Sequence, residues 1–246
     1  MFMLESFKLK ATELRRFLKI HIALPKDYHE NDREYPLILA LDGQYYYDFL
    51  GEETKVFDTP KMIQGLENKA IFVFVHSPSI LAWRISELNP YYNGALPDVD
   101  KVLSVIYFDY LVNIVIPLLK ERYRINEDIY LSGIKDSAIA ALYMLYQYNV
   151  FKGAALYDIN LSEVSDKFHE DMKYKFTCKK SVYLFHGGIG TTTKEDDLFY
   201  HLCQRFESFK TEILKYDFNS ELDNSYSSIE KVYADGISHI MKNSLQ

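Results

Sequence analysis

The sequence predicts an α/β fold, a mostly parallel sheet with helices on both faces, and two patterns predict it. Short apolar runs rich in β-branched and aromatic residues recur along the chain, most of them nearly unbroken, as in strands covered on both faces. Segments of helical periodicity lie between them, and regular strand–helix alternation indicates parallel strands joined by crossover helices. The first strand is RFLKIHIALP (16–25), where Lys19 and His21 alternate with Leu18, Ile20 and Ile22. PLILALDG (36–43), AIFVFVHS (70–77), DIYLSG (128–133), GAALYDI (153–159), SVYLFHGG (181–188) and TEILKYDF (211–218) follow. The turn YHENDREYP leads from the first strand to the second, so the first is expected antiparallel at the edge. Helices are expected over 57–68, 98–121, 136–148, about 194–209 and 226–244. The first opens at FDTP, where Asp58 or Thr59 can cap and Pro60 suits the first turn. The second carries Val102, Ile106, Leu111, Ile114 and Leu118 near helical spacing. No repeat or Pro/Ser linker interrupts the alternation, so residues 1–246 are expected to form a single domain.

Composition narrows the function classes. The net charge is −7 and no basic stripe appears, which argues against a nucleic-acid partner. The basic residues from Lys8 to Lys19 are interleaved with apolar ones, as on a solvated strand or helix face. Cys178 and Cys203 lack metal-ligand spacing, and no disulfide is expected. The N-terminal stretch carries charges throughout, unlike a secretory signal, and no run reaches the ~20 apolar residues of a membrane span. A cytoplasmic protein without membrane contact is expected.

The stretch YLSGIKDSAIAALYML (130–145) reads as a buried strand, a turn at Gly133 and an apolar helix. Other short motifs accompany it in order: Arg16, Pro25 and Tyr28 around the first strand; Tyr35, Pro36, Asp42, Gly43 and Gln44 around the second; Arg84, Glu87, Leu88 and Pro90 in a following loop; Pro117, Tyr123 and Arg124 at the end of the long helix. In this order, over nearly the whole chain, the sequence resembles the Putative-esterase branch of the α/β-hydrolases, which contains enterochelin-esterase-like and esterase-D-like proteins. The resemblance implies an α/β-hydrolase fold. It also implies a nucleophile elbow, G-x-S-x-G, whose serine stands on a strained turn beside an oxyanion hole.

Here the elbow reads Gly133-Ile134-Lys135-Asp136-Ser137, with Lys135 at the nucleophile position. Ser137 falls on the second glycine position, where it replaces a small packing residue, caps the helix or serves as an alternative nucleophile. Lys135 could itself act as nucleophile or base if desolvated, although Asp136 beside it favours the charged form. The segment Ala234-Asp235-Gly236-Ile237-Ser238-His239-Ile240 matches the family's G-x-H pattern, so His239 aligns with the triad histidine in a loop before the C-terminal helix. The expected acid position falls on Gly190 or Thr191; Glu195, followed by Asp196 and Asp197, is the nearest candidate. The backbone of Gly43, Gln44 and Asp136 would form the oxyanion hole.

His76 and His186 end strands, where α/β sheets bind ligands, but no third ligand lies at metal spacing. GGIG (187–190) lacks the rest of a dinucleotide fingerprint and reads as a flexible loop over the site. Neither cofactor nor metal is expected. Two functions follow: an esterase homologue without serine-triad hydrolysis, a pseudoenzyme kept to bind an ester-like small molecule or a protein partner (a second copy included), or an active carboxylic-ester hydrolase using Ser137 or an unusual site with His239.

Overall fold

The structure, a computed structural model, describes residues 3–46, 56–92, 94–96, 102–161, 165–175, 180–190, 192–208 and 213–242. Among the described residues eight strands form one sheet: β1 (Met3–Ala11), β2 (Arg16–Leu24), β3 (Tyr35–Leu41), β4 (Ile71–Val75), β5 (Ile125–Ile134), β6 (Phe151–Tyr157), β7 (Ser181–Ile189) and β8 (Ile213–Asp223). Their order is β1-β2-β4-β3-β5-β6-β7-β8. From β4 to β8 every pairing is parallel, whereas β2 is antiparallel to both β1 and β4. The expected antiparallel strand is therefore second from the edge. The edge itself is β1, whose sequence MLESFKLKA hides among charged residues because it is largely solvated.

The helices are α1 (Thr59–Met62), α2 (Leu81–Leu88), α3 (Ser104–Tyr110), α4 (Ile116–Arg122), α5 (Asp136–Gln147), α6 (Asp166–Lys175), α7 (Thr193–Ser208) and α8 (Tyr226–Ile240). The run expected over 57–68 shortens to the single turn α1. The run expected over 98–121 divides into α3 and α4 around a wide, π-type turn at Leu111–Val115, with Pro117 at the start of α4. Neither α2 nor α6 was expected from periodicity. Among the described residues no helix is long and apolar enough to cross a membrane.

Period-two alternation splits the strand side chains between two cores. Ile71, Val73 and Val75 of β4 join Leu37, Leu39, Ile129 and Leu131 under a layer containing α3, α4, α5 and α7. Phe72 and Phe74 face the other way with Ile38, Ala40, Tyr130, Tyr157 and Tyr183, beneath α1 and α8. Burial on both faces is why these strands read as unbroken apolar runs. Parallel pairing brings the carboxyl ends of these strands to one rim. There Asp42 follows β3, Lys135 follows β5 and Asp158 follows β6, each at positive φ (60°, 55° and 49°). Non-glycine residues in that region cost on the order of 1–3 kcal/mol and cluster at functional sites.

Candidate functional site

β5 delivers its last residues into a tight turn whose apex is Lys135, with φ 55° and ψ −116°. The Lys135 amide donates to the carbonyl of Tyr157 on β6 (2.9 Å), and its own carbonyl accepts from the amide of Ala138 (3.0 Å). Strand and helix approach so closely that a Cβ on Gly133 would lie 2.3 Å from the Ser137 carbonyl oxygen. That crossing requires glycine. The Ser137 hydroxyl is fully buried and folds back on the turn, donating to the carbonyl of Ile134 (2.9 Å) and accepting from its amide (2.9 Å). Ser137 therefore acts as a fastener inside the elbow, and its Oγ is turned away from the rim.

Lys135 Nζ donates to Asp158 Oδ2 at 2.5 Å and to the Asn224 carbonyl at 3.2 Å. The other oxygen of Asp158 stands 3.6 Å from His186 Nδ1, an electrostatic contact longer than a hydrogen bond. Nε2 of His186 meets Asp196 Oδ1 at 3.1 Å, and Phe199 stacks on the imidazole with centroids 5.0 Å apart. Asn224 Oδ1 accepts from the Gly187 amide (2.6 Å), joining the end of β7 to the connection after β8.

Burial opposes charge on His186, yet Asp158 and Asp196 together outweigh it and hold its pKa above the ordinary imidazole value of 6.5. A raised folded-state pKa contributes stability fully present below the unfolded value and lost as pH rises through the folded one. Wild type should therefore lose stability relative to His186→Gln as pH rises above the ordinary imidazole value of 6.5, as read by urea unfolding. A difference that grows with pH would contradict the arrangement.

The opposite wall is tied by Arg84 from α2. Its Nε and Nη2 donate to the two oxygens of buried Asp42 (2.9 and 2.6 Å), while Nη1 donates to Asp136 Oδ2 (2.9 Å). Gln44 donates to Asp42 Oδ1 (3.1 Å) and accepts from the Ser77 amide (3.0 Å). Gly43 packs with so little space that a Cβ would sit 2.6 Å from the Phe74 carbonyl carbon. One guanidinium thus joins the Asp42–Gly43–Gln44 segment to the first residue of α5.

Beside Lys135 and His186 lies a cavity of about 470 Å³, which the Arg84 network reaches only through Asp136. Its polar lining is Lys135, Asp136, Asp158, Asn160, His186 and Asn224; Ile159, Leu161, Leu198 and Phe199 make the apolar wall. The structure thus brings Lys135 and Asp136 together with His186. It places His239 elsewhere. The loop expected around that residue is the last turn of α8, where the buried ring faces Tyr183 on the opposite side of the sheet (centroids 6.2 Å apart). The preceding glycine has a packing reason, since a Cβ on Gly236 would meet the Tyr157 hydroxyl at 2.3 Å. The connection after the last strand is Asn224–Ser225, and Ser225 caps α8 by accepting from the Ser228 amide. Asn224 therefore occupies the position the resemblance reserves for a histidine. Glu195 lies in the first turn of α7, with its side chain outside the described residues, as are Thr191 and Cys178. His76 sits at the β2–β4 end, its ring beside His21 (centroids 4.7 Å apart). Sequence reasoning missed Asp158 and Asn224; for Asp158 the available signal was a polar residue directly after an apolar strand, as at Asp42, whereas the charged β8 offers no such signal for Asn224.

The strand order, the strained turn after β5 and the cavity at the strands' carboxyl ends define an α/β-hydrolase fold. The family model described as Putative esterase matches residues 11–164, and the chain belongs to that family. An IroE-like serine hydrolase from Shewanella oneidensis superposes with a TM-score of 0.79 at 18% identity, covering 98% of this chain and 81% of that one. The enterobactin esterase FES from Shigella flexneri, solved in the presence of enterobactin, gives 0.77 at 13% identity, covering 98% of this chain and 59% of that one. A siderophore hydrolase, EstB from Aspergillus nidulans, gives 0.72 at 14% identity, with 98% and 95% covered. At these identities the likeness is one of fold. A search among curated protein sequences finds no match.

Proposed function

We propose that this esterase-family homologue does not perform serine-triad ester hydrolysis and that its cavity binds a small ligand. The observation that carries the reading is the elbow apex. Lys135 keeps the strained backbone of a nucleophile, yet its side chain is an ammonium 2.5 Å from a carboxylate of the neighbouring strand end. A serine-less site decaying without constraint would be expected to relax at that residue, because the strain costs about 1–3 kcal/mol. Retention of the strain together with a matched counter-ion supports a rebuilt site over a derelict one.

The chemistry of hydrolysis is also poorly served. An amine attacking an ester yields an amide, far harder to hydrolyse than the acyl-serine of an esterase, so Lys135 would be consumed after one event. Ser137 has both hydroxyl functions engaged by Ile134, and His239 lies in the other core. Asn224, at the histidine's place, cannot act as a general base at neutral pH. Fold alone does not carry activity. The ligand we favour is a small molecule held between the polar rim and the apolar wall of the cavity. Treatment with a fluorophosphonate should leave every serine unlabelled by peptide mass spectrometry; an adduct on Ser137 would establish the active-hydrolase alternative instead.

A further inference from the structure

The side chains at the cavity form a nucleophile–base–positioner series with the logic of a hydrolytic triad but other members. Lys135 Nζ is the amine, Asp158 Oδ2 at 2.5 Å is the proton acceptor, and His186, itself held by Asp196 at 3.1 Å, flanks the acceptor's second oxygen. We propose that Lys135 forms a reversible imine with a small aldehyde or ketone, an inference that rests on the non-hydrolytic reading above.

The step balances without any further reagent. The Lys135 ammonium gives one proton to Asp158, and the freed lone pair forms the C–N bond while the carbonyl π pair moves to oxygen. Asp158 returns its proton to that oxygen. A second nitrogen proton then passes through the same carboxylate to the hydroxyl, which leaves as water. Ammonium plus carbonyl becomes iminium plus water, with no net change in protons. The positive charge is on the same nitrogen in reactant and product, so Asp158 pairs with both.

The surroundings select the carbonyl class. An ester would leave a permanent amide, whereas an aldehyde or ketone is released by the reverse reaction. Among the described side chains there, the carboxylates Asp42, Asp136, Asp158 and Asp196 outnumber the cations other than Lys135, which are Arg84 and His186, both already paired with them. Such a site favours a cationic adduct over a bound anion. Ile159, Leu161, Leu198 and Phe199 give the carbonyl compound's substituent an apolar wall.

The test uses wild-type protein, pentanal and sodium cyanoborohydride, which reduces an imine to a stable secondary amine, with labelled peptides quantified by mass spectrometry. Exposed Lys61 and Lys231 of the same chain are the internal references. Lys135 should be labelled at least about ten-fold faster than either, a floor below the roughly 10²–10⁴-fold that a positioned proton-transfer group supplies. Asp158→Asn should remove that preference while leaving the references unchanged. Labelling of Lys135 no faster than Lys61 and Lys231 in the wild type overturns the proposal without recourse to any variant. Ester turnover measured on the same preparation separates the two ideas: no turnover and no preference sinks the imine alone, and turnover sinks the non-hydrolytic reading on which it rests.

Discussion

Replacing Arg84 by alanine should destabilise the protein by about 3–5 kcal/mol, the cost of leaving a buried charge without its partner. Asp42 is 1% exposed and gives both carboxylate oxygens to this guanidinium, so it cannot recover solvation when the arginine goes. Asp136 loses its partner in the same substitution. The effect should extend along α2, because Glu87, one turn further on, anchors the helix through a second two-point pair with Arg16 (2.8 and 2.6 Å). Arg84→Lys keeps the charge but not the fork, and should fall between wild type and Arg84→Ala. Urea denaturation of the three proteins measures this directly. A loss below about 1 kcal/mol for the alanine variant would mean that the pair behaves as a surface salt bridge.

Gly133→Val should be nearly as costly, at about 3 kcal/mol or more, at the upper end of what overpacking produces. The clash lies with backbone: the first side-chain carbon would sit 2.3 Å from the Ser137 oxygen, 2.6 Å from its carbonyl carbon and 2.7 Å from the Ala138 Cα. No rotamer relieves contacts made by a Cβ, so β5 and α5 must separate. Because α5 begins at the residue after Lys135, that separation would also move Nζ away from Asp158. Thermal unfolding followed by circular dichroism reads the stability. Imine trapping reads the displacement, and Gly133→Val should lose any preference at Lys135. A variant as stable as wild type would show that strand and helix are not in the contact described.

These effects locate what the sequence could and could not reveal. The sheet was legible because the strands are buried on both faces and their apolar runs carry no competing signal. β1 was not, since an edge strand with one wet face looks like a charged surface segment. The elbow was legible because its glycine, apex and small-residue helix are contiguous. Lys135's partners were not, for they come from the residue after β6 and the β8–α8 connection, with Asp158 23 and Asn224 89 positions away. Only the parallel sheet brings those ends to one rim.

His239 shows a different failure. A glycine followed by a histidine imitates a loop motif, but the same residues lie inside the helix that periodicity predicts over 226–244. Gly236 is small because α8 presses on Tyr157 and Tyr183. Where a motif and a period disagree, packing of the period decided the outcome here.

An elbow refitted around Lys135 that has lost ester hydrolysis, as proposed above, has a simple kinetic consequence. The measurement that tests it most directly is turnover of p-nitrophenyl butyrate by purified wild-type protein beside Lys135→Ala and Ser137→Ala. All three should release p-nitrophenol at the protein-independent background rate, apart from at most one equivalent per wild-type chain. Saturable, multiple-turnover hydrolysis by the wild type that disappears in either variant would contradict it.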